Sequence, residues 1–353
     1  MPSYLPNTAL TANAIGSRIY VYAQAYHGAL IEAKGQLQDD EDNNKVNVFF
    51  AGGQETIGIT TRWRAKTLQR WAPKLFTPIA AAAIGSTRFV MFLDDKNILH
   101  DVRYRNEDEG WVRGNLSTLA VECAHYSKLA ASTVSNGQQS FICLYYQKNE
   151  FHGPVTMVSY TELKGSWVKG KPDMTITPPA TPPPPPTYRD PPMYGTSMTA
   201  VKPRRGIGPR SQRDDKLPVL YLQWDTHSIA HARGDAIGPI PGLEQFTLSP
   251  HTSLTAVDDP ESEDLLCFYI SNDNSVRMVK IDGDNATRVI DRVVSPTPRS
   301  SIAAVLPHPD RIILFYQLWD TGDSEKVNIY AKTIEKQGPS SWHDVDTTDL
   351  MDG

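Results

Sequence analysis

Cysteine, basic charge and long apolar runs are all in short supply in this chain of 353 residues. The three cysteines, Cys123, Cys143 and Cys267, are too few and too odd in number for a disulfide framework, and they form neither a CxxC pair nor a zinc-ligand spacing. With 35 Lys and Arg against 40 Asp and Glu, the net charge is −5. That leaves no basic field to hold a phosphate backbone and excludes nucleic acid as the main partner. No apolar run reaches the roughly 20 residues a membrane helix needs, and the start, MPSYLPNTALTANAIG, lacks the basic end and apolar centre of a secretory signal. The expectation is a soluble, cytoplasmic protein with no membrane partner. No G-x-S-x-G, phosphate loop or dinucleotide fingerprint occurs, so neither a cofactor nor a metal is expected.

Proline is plentiful in one place only. Thirteen of the 27 prolines lie between Pro172 and Pro218, around TPPATPPPPPTYRDPP. Five in succession at 182–186 cannot donate backbone hydrogen bonds and hold a polyproline II path, so the tract reads as a stiff spacer or surface strap between structural units. The basic residues from Lys202 to Arg213 read as a solvated loop.

One short pattern, [ST]-x-[LIM]-[AT]-A, recurs six times, starting at Thr8, Thr77, Ser127, Thr196, Thr252 and Ser300. After each copy comes a short stretch rich in aromatic and β-branched residues, such as RIYVYAQ from Arg18, RFVMFLD from Arg88 and FICLYYQ from Phe141. These read as buried strands. A third stretch follows a tight turn in each unit, as in ALIEAK from Ala29 and NILHDV from Asn97, and a fourth is marked by Trp111, Trp167 and Trp342 in three units. Six units of four antiparallel strands describe an all-β, six-bladed β-propeller spanning 1–353. Its blades start near residues 8, 77, 127, 196, 252 and 300, with insertions at about 37–62 and 172–217. The small residues of the first strand fit this reading, since the innermost strands converge on the axis.

With these residues in place, the sequence resembles the fungal fucose-binding lectins, six-bladed propellers with sugar sites between adjacent blades. In that family an Arg at the start of the second strand and a Glu on the third bind sugar hydroxyls, and aromatic residues cover the sugar's apolar face. The forked donors of a guanidinium and the acceptor pair of a carboxylate suit a neutral polyol. Carried across, the resemblance implies that the first blade keeps the pair as Arg18 and Glu32, and that the second has Arg88 with the shorter Asp101. The sixth retains Arg311 but offers Tyr330 or Ala331 at the acid position. The third has Phe141, the fourth Pro218 or Leu217 with His231, and the fifth Leu265 with Met278. At most two of six sites look serviceable, and a lectin that has lost most of its sites has lost its avidity.

A second resemblance, resting on overall pattern, is to fungal propeller proteins of secondary metabolism. Some of these act as hetero-Diels-Alderases that join a tropolone-derived quinone methide to a humulene-type terpene. It implies a cofactor-independent pericyclic cyclase with a small apolar substrate. Such a site needs aromatic walls, an acid and base for quinone methide formation, and a donor to the tropolone oxygen. The expected catalytic residues are Arg18, Glu32 and His100. The expected substrate-binding residues are Trp63, Trp71, Arg88 and Asp101. Each has a structural alternative: an inter-blade ion pair for Arg18 and Glu32, and blade packing for Trp63 and Trp71. Because adjacent strand residues face opposite ways, His100 and Asp101 are not expected to pair. The alternative function is a fucose-binding lectin with one or two surviving sites and a fucosylated glycan as partner. A homodimer is compatible with both readings.

Overall fold

The six Ser/Thr-led repeats open six separate antiparallel blades, five of them four-stranded and the first five-stranded, in which the four main strands follow sequence order. The computed structural model describes residues 4–26, 28–40, 45–50, 55–56, 73–135, 139–150, 153–170, 192–202, 217–224, 228–233, 236–240, 242–243, 248–259, 264–282, 285–319, 327–336 and 342–349. Blade 1 comprises Thr11–Ile15, Arg18–Gln24, Leu30–Asp40 and Lys45–Phe50, with Glu55–Thr56 pairing alongside its third strand. Blade 2 comprises Ile79–Ile84, Thr87–Leu93, Leu99–Tyr104 and Trp111–Arg113. Blade 3 comprises Leu129–Ser135, Ser140–Gln147, Val155–Thr161 and Ser166–Lys169. Blades 4, 5 and 6 open with Met198–Val201, Leu254–Asp258 and Ala303–His308, and the last ends in Trp342–Asp349. The architecture is the all-β six-bladed propeller expected from the repeats.

The hydroxyl that heads each repeat has a physical task. In blades 1, 2, 3, 5 and 6 it accepts a hydrogen bond from a backbone N–H at the end of the second strand: Gln24 to Thr8 at 3.0 Å, Leu93 to Thr77 at 2.9 Å, Gln147 to Ser127 at 2.9 Å, Ile270 to Thr252 at 2.8 Å and Gln317 to Ser300 at 3.1 Å. It thus closes the turn leading into the first strand with a partner that Ala would not supply. In four blades a buried glutamine stands at the end of the second strand, and its amide donates to a carbonyl of the next unit. Gln24 reaches Lys74, Gln147 reaches Met193, Gln223 reaches Ser249 and Gln317 reaches Leu5. The last of these links the final blade back to the first.

Between the blades lie six buried apolar clusters, one for each adjacent pair. The one joining blades 6 and 1 packs Phe315 and Ile313 against Ile19 and Val21. The ring therefore closes by side-chain packing, each blade keeping its own strands in sequence order. Alternate residues of a second strand serve opposite neighbours: Ile19 and Val21 face blade 6, whereas Tyr20 and Tyr22 face blade 2. Fully burying one such side chain contributes about 1.5–3 kcal/mol. The first strands surround the axis with Ala, Thr and Ser, leaving a channel of about 300 Å³.

Two expected insertions are partly strand. The described part of 37–62 belongs to the lengthened outer strands of blade 1, and 172–217 encloses the first strand of blade 4. The five-proline run lies outside the described residues.

Candidate functional site between blades 1 and 2

A cleft of about 690 Å³ opens between blades 1 and 2. Its walls carry Arg18, Tyr20 and Lys34 from blade 1 and Arg88, Tyr104 and Arg105 from blade 2. Both strand pairs that build it turn on a Gly-Ser hairpin, Gly16-Ser17 and Gly85-Ser86, with both glycines in the left-handed region that other residues adopt only at a cost.

At its floor, Glu32 and Arg88 form a two-pronged ion pair across the interface. The Arg88 Nε donates to Glu32 Oε2 at 3.0 Å and its Nη2 to Oε1 at 3.1 Å. The guanidinium is also sandwiched between two ring faces, 4.1 Å from the centre of Tyr20 and 3.8 Å from that of Tyr104. Lys34 Nζ approaches Glu32 Oε1 at 3.7 Å. Glu32 is fully buried. Burial raises its carboxyl pKa, and the Arg88 charge offsets only part of that rise. For Arg88, burial acts to lower the pKa, and the adjacent carboxylate outweighs it, so the group is held firmly charged.

Arg18 does not form the ion pair with Glu32 that was the structural alternative for these two residues. It stands opposite Gln36 in register, is exposed, and makes no hydrogen bond or ion pair among the described residues. It lies on the same face of blade 1 as Glu32, but Arg88 has taken the carboxylate. The expected pairing of Arg88 with Asp101 is also corrected. Arg88 opposes Ala83 one step beyond Thr87, the residue that occupies the place of Arg18, and one step along a strand reverses the face. Arg88 therefore points into the interface with blade 1 and Asp101 into the interface with blade 3. The fifth blade needs the same adjustment, since Asp264, not Leu265, stands at the Arg18 position.

Asp101 holds together the interface between blades 2 and 3. It accepts from the Leu116 backbone N–H at 2.8 Å, Trp167 Nε1 at 3.0 Å and Arg103 Nε at 3.2 Å. Arg103 also reaches the Tyr160 hydroxyl at 3.3 Å and the Asn115 side chain. His100 is buried, with Nε2 3.0 Å from Asp94 Oδ2 and its ring stacked on Phe92 at 5.6 Å. Burial lowers its pKa. His100 and Asp101 do diverge, as alternation requires. His100 sits opposite Phe92, four residues along the strand from Arg88 and roughly 13 Å away, so it is outside the cleft. Trp63 and Trp71 lie outside the described residues.

Sequence reasoning missed Tyr104, Lys34 and Trp111. Trp111 lies 5.6 Å from both the Arg88 guanidinium and the Tyr104 ring, and its buried indole N–H has no acceptor among the described residues. Counting back six residues from the latched end of each second strand would have found Thr87 as the counterpart of Arg18. Among the described residues no group of three or more His, Cys, Asp and Glu is placed to hold a metal ion, and no helix is long and apolar enough to cross a membrane.

The profile of the fungal fucose-specific lectins matches residues 5–182, half of the chain. The fold is similar to the six-bladed lectin of Aleuria aurantia, at 17% identity, a TM-score of 0.65, and coverage of 100% of this chain and 99% of that one. AofleA of Arthrobotrys oligospora gives 14% identity and a TM-score of 0.62 over 99% of this chain and 89% of its own. The SapL1 lectin, solved with α-methyl fucoside, gives 17% and 0.61 over 98% and 97%. No curated protein matches the chain at a significant level. Six Ser/Thr-led blades, a cleft between the first two, and a profile match that covers both of those blades lead to one assignment: the chain belongs to the fungal fucose-specific lectin family.

Proposed function

We propose that this chain is a saccharide-binding propeller that takes a fucose-type glycan in the cleft between blades 1 and 2. The observation that carries the reading is that cleft itself: an exposed guanidinium at Arg18 above a rigid Glu32–Arg88 floor held between the Tyr20 and Tyr104 rings, in a volume that suits a small ligand. Arg18 supplies forked donors for the hydroxyls of a sugar. The relatives solved with α-methyl fucoside or Fucα1-6GlcNAc support the sugar class. Among the described residues the other five interfaces lack the combination. Arg311 is tied to Glu335 of its own blade with Ala331 at the acid position, and His231 or Met278 stands there in blades 4 and 5. A single principal site, and hence weak avidity, is the expected behaviour. Calorimetric titration with methyl α-L-fucoside tests this. Binding that is lost in Arg18→Ala and kept in Arg311→Ala supports it, and equal binding by both variants sinks it.

A second reading, the hetero-Diels-Alderase, draws on one observation. The cleft joins ring faces at Tyr20 and Tyr104 to a carboxyl group that burial favours in its neutral, proton-donating form. Against it, the carboxylate is engaged on both oxygens and the mouth is lined with cations where two apolar partners would have to meet. Incubation with a tropolone quinone methide precursor and a humulene-type terpene decides the matter: a product ratio unchanged by the protein removes this reading.

A further inference from the structure

We infer that the end of the propeller opposite the cleft joins two copies of this chain, through an exposed strip of aromatic and aliphatic side chains on blades 1 to 4. The inference goes beyond saccharide binding and does not depend on it.

The six loops that lead into the repeat hydroxyls give an internal comparison. In blades 1, 5 and 6 the two residues before the hydroxyl are Pro6-Asn7, Pro250-His251 and Pro298-Arg299. In blades 2, 3 and 4 they are Leu75-Phe76, His125-Tyr126 and Tyr194-Gly195. The latch hydrogen bond forms in blades 2 and 3 as it does in 1, 5 and 6, so folding does not demand the rings. Seven large apolar side chains stand exposed among the described residues, and four belong to this end of the molecule: Tyr26 at 70%, Leu75 at 59%, Phe76 at 57% and Tyr194 at 51%. They form one strip. A Cβ on Gly28, two residues from Tyr26, would lie 3.3 Å from Leu75, and the Lys74 ammonium beside Leu75 donates to the His125 carbonyl at 3.0 Å. The rings of His125, Tyr126 and Tyr194 then follow one another at 4.8 and 5.1 Å. Phe76 also holds a left-handed backbone, with φ 56°, that Asn7 and Gly195 adopt with less strain at the same place in blades 1 and 4. A side chain both strained and exposed is explained by a contact that covers it.

Area and charge select a second copy as that contact. The four side chains offer roughly 400 Å² per copy, so a two-fold pair covers about 800 Å² from them alone and approaches the ~1,200 Å² of a specific interface once a polar rim is added. Copies of net charge −5 repel one another, and this strip is where they meet with least repulsion. Its loop residues bear no acidic or basic group besides His125, and Lys74 is turned to Asn97 Oδ1 and the His125 carbonyl. A strip that is apolar along its length is complementary to itself about a two-fold axis. The second strand of blade 1 runs from Arg18 at the cleft to Gln24 at the latch, roughly 20 Å. Joining the latch ends therefore leaves both clefts open and facing apart, and on the saccharide reading the pair is a cross-linker of two surfaces.

Sedimentation velocity of the full chain from 1 to 200 μM, without sugar, tests the inference. The expected result is a monomer at 1 μM that becomes a dimer with a midpoint on the order of 10 μM, and a midpoint raised at least tenfold in Phe76→Asn with Tyr194→Ser. Both positions are exposed and Asn suits the left-handed backbone, so at 1 μM this variant should melt no lower than wild type, which shows that it is folded. Wild type that stays monomeric at 200 μM overturns the inference, as does a dimer that the double variant leaves intact. A monomer that floats with phosphatidylcholine vesicles unless Phe76 and Tyr194 are changed would assign the strip to a lipid surface and overturns it too. Because no sugar enters the measurement, each of these failures leaves the saccharide reading standing.

Discussion

Between blades 1 and 2 the buried guanidinium reaches its carboxylate from the far blade, Arg88 to Glu32, whereas between blades 2 and 3 it comes from two residues along the carboxylate's own strand, Arg103 to Asp101. The two interfaces correspond position by position. Arg18, Glu32, Lys34, Arg88, Tyr104 and Trp111 in the first become Thr87, Asp101, Arg103, Ile142, Tyr160 and Trp167 in the second. In both, a charged fork lies near the rings of a facing strand: Arg88 by Tyr104, Arg103 by Tyr160. The consequence differs. Arg103 lies across the interface, Trp167 caps Asp101, and Ile142 fills what remains, so that all four are buried. Arg88 stays at the floor and leaves the mouth to Arg18 and Lys34. A third solution appears between blades 5 and 6. There Asp264 at the Arg18 position meets Lys280 at 2.6 Å, and Lys336 meets Asp259 at 2.9 Å in a buried pair. The strand that supplies the guanidinium decides whether an interface keeps a cleft or becomes pure packing.

The largest effect should come from breaking the sealed interface. Asp101→Ala removes three hydrogen-bond acceptances at once and leaves Arg103 buried without its counter-charge, at a cost of about 3–5 kcal/mol in urea denaturation. Gly114→Ala attacks the same place sterically, because a Cβ there would fall 1.9 Å from Asp101 Oδ2. Its expected cost is about 1–3 kcal/mol, and wild-type stability for this variant would mean that the Asp101 contacts yield freely. At the open interface Arg88→Ile should cost about 2–3 kcal/mol, less than Asp101→Ala, because Glu32 retains Lys34 nearby and burial already favours its neutral form. Adding Lys34→Arg to Arg88→Ile copies the arrangement of blades 2 and 3. The pair should recover about 1 kcal/mol relative to the single change and abolish saccharide binding by filling the cleft. Binding that survives the double change would show that the cleft is not the site.

The repeats made the fold legible because each carries a residue with one task, the hydroxyl latch, and because strands around an axis leave the innermost positions only small side chains. The site was half legible for a reason equally physical. Side chains alternate along a strand, so an arginine one place late serves a different interface. Thr87-Arg88 against Arg18 is such a shift, and a motif read as "Arg, then β-branched and aromatic residues" does not register it. Asp101 looked like a shortened copy of Glu32, and it does occupy the same place. Its partners Trp167 and Leu116 lie 66 and 15 residues away in sequence, and the propeller's curvature brings them together. No local pattern encodes them. Trp111 was visible as a strand residue, but its role and that of Tyr104 follow from Arg88, whose face was misjudged.

The smaller effects separate two buried groups on the blade 1 side of blade 2, Glu32 and His100, by pH. Glu32 has a folded-state pKa raised above its usual 4.5, so its contribution is full below that value and is lost as pH rises through the folded pKa. The stability gap between wild type and Glu32→Gln should therefore narrow from pH 4 to pH 7, and a gap that widens would mean that the Arg88 pair outweighs burial. His100 works in the other direction. Its folded pKa lies below the usual 6.5 because burial disfavours the charged ring, so the unfolded chain binds the proton first and stability falls as pH drops below 6.5. Asp94 at 3.0 Å limits the shift, since protonation would strengthen that contact. Melting curves at pH 7.5 and 5.5 should show a smaller acid loss in His100→Gln than in wild type. Sugar affinity should stay the same in that variant, because the imidazole lies outside the cleft. A change in affinity without a change in melting would instead place His100 at the ligand.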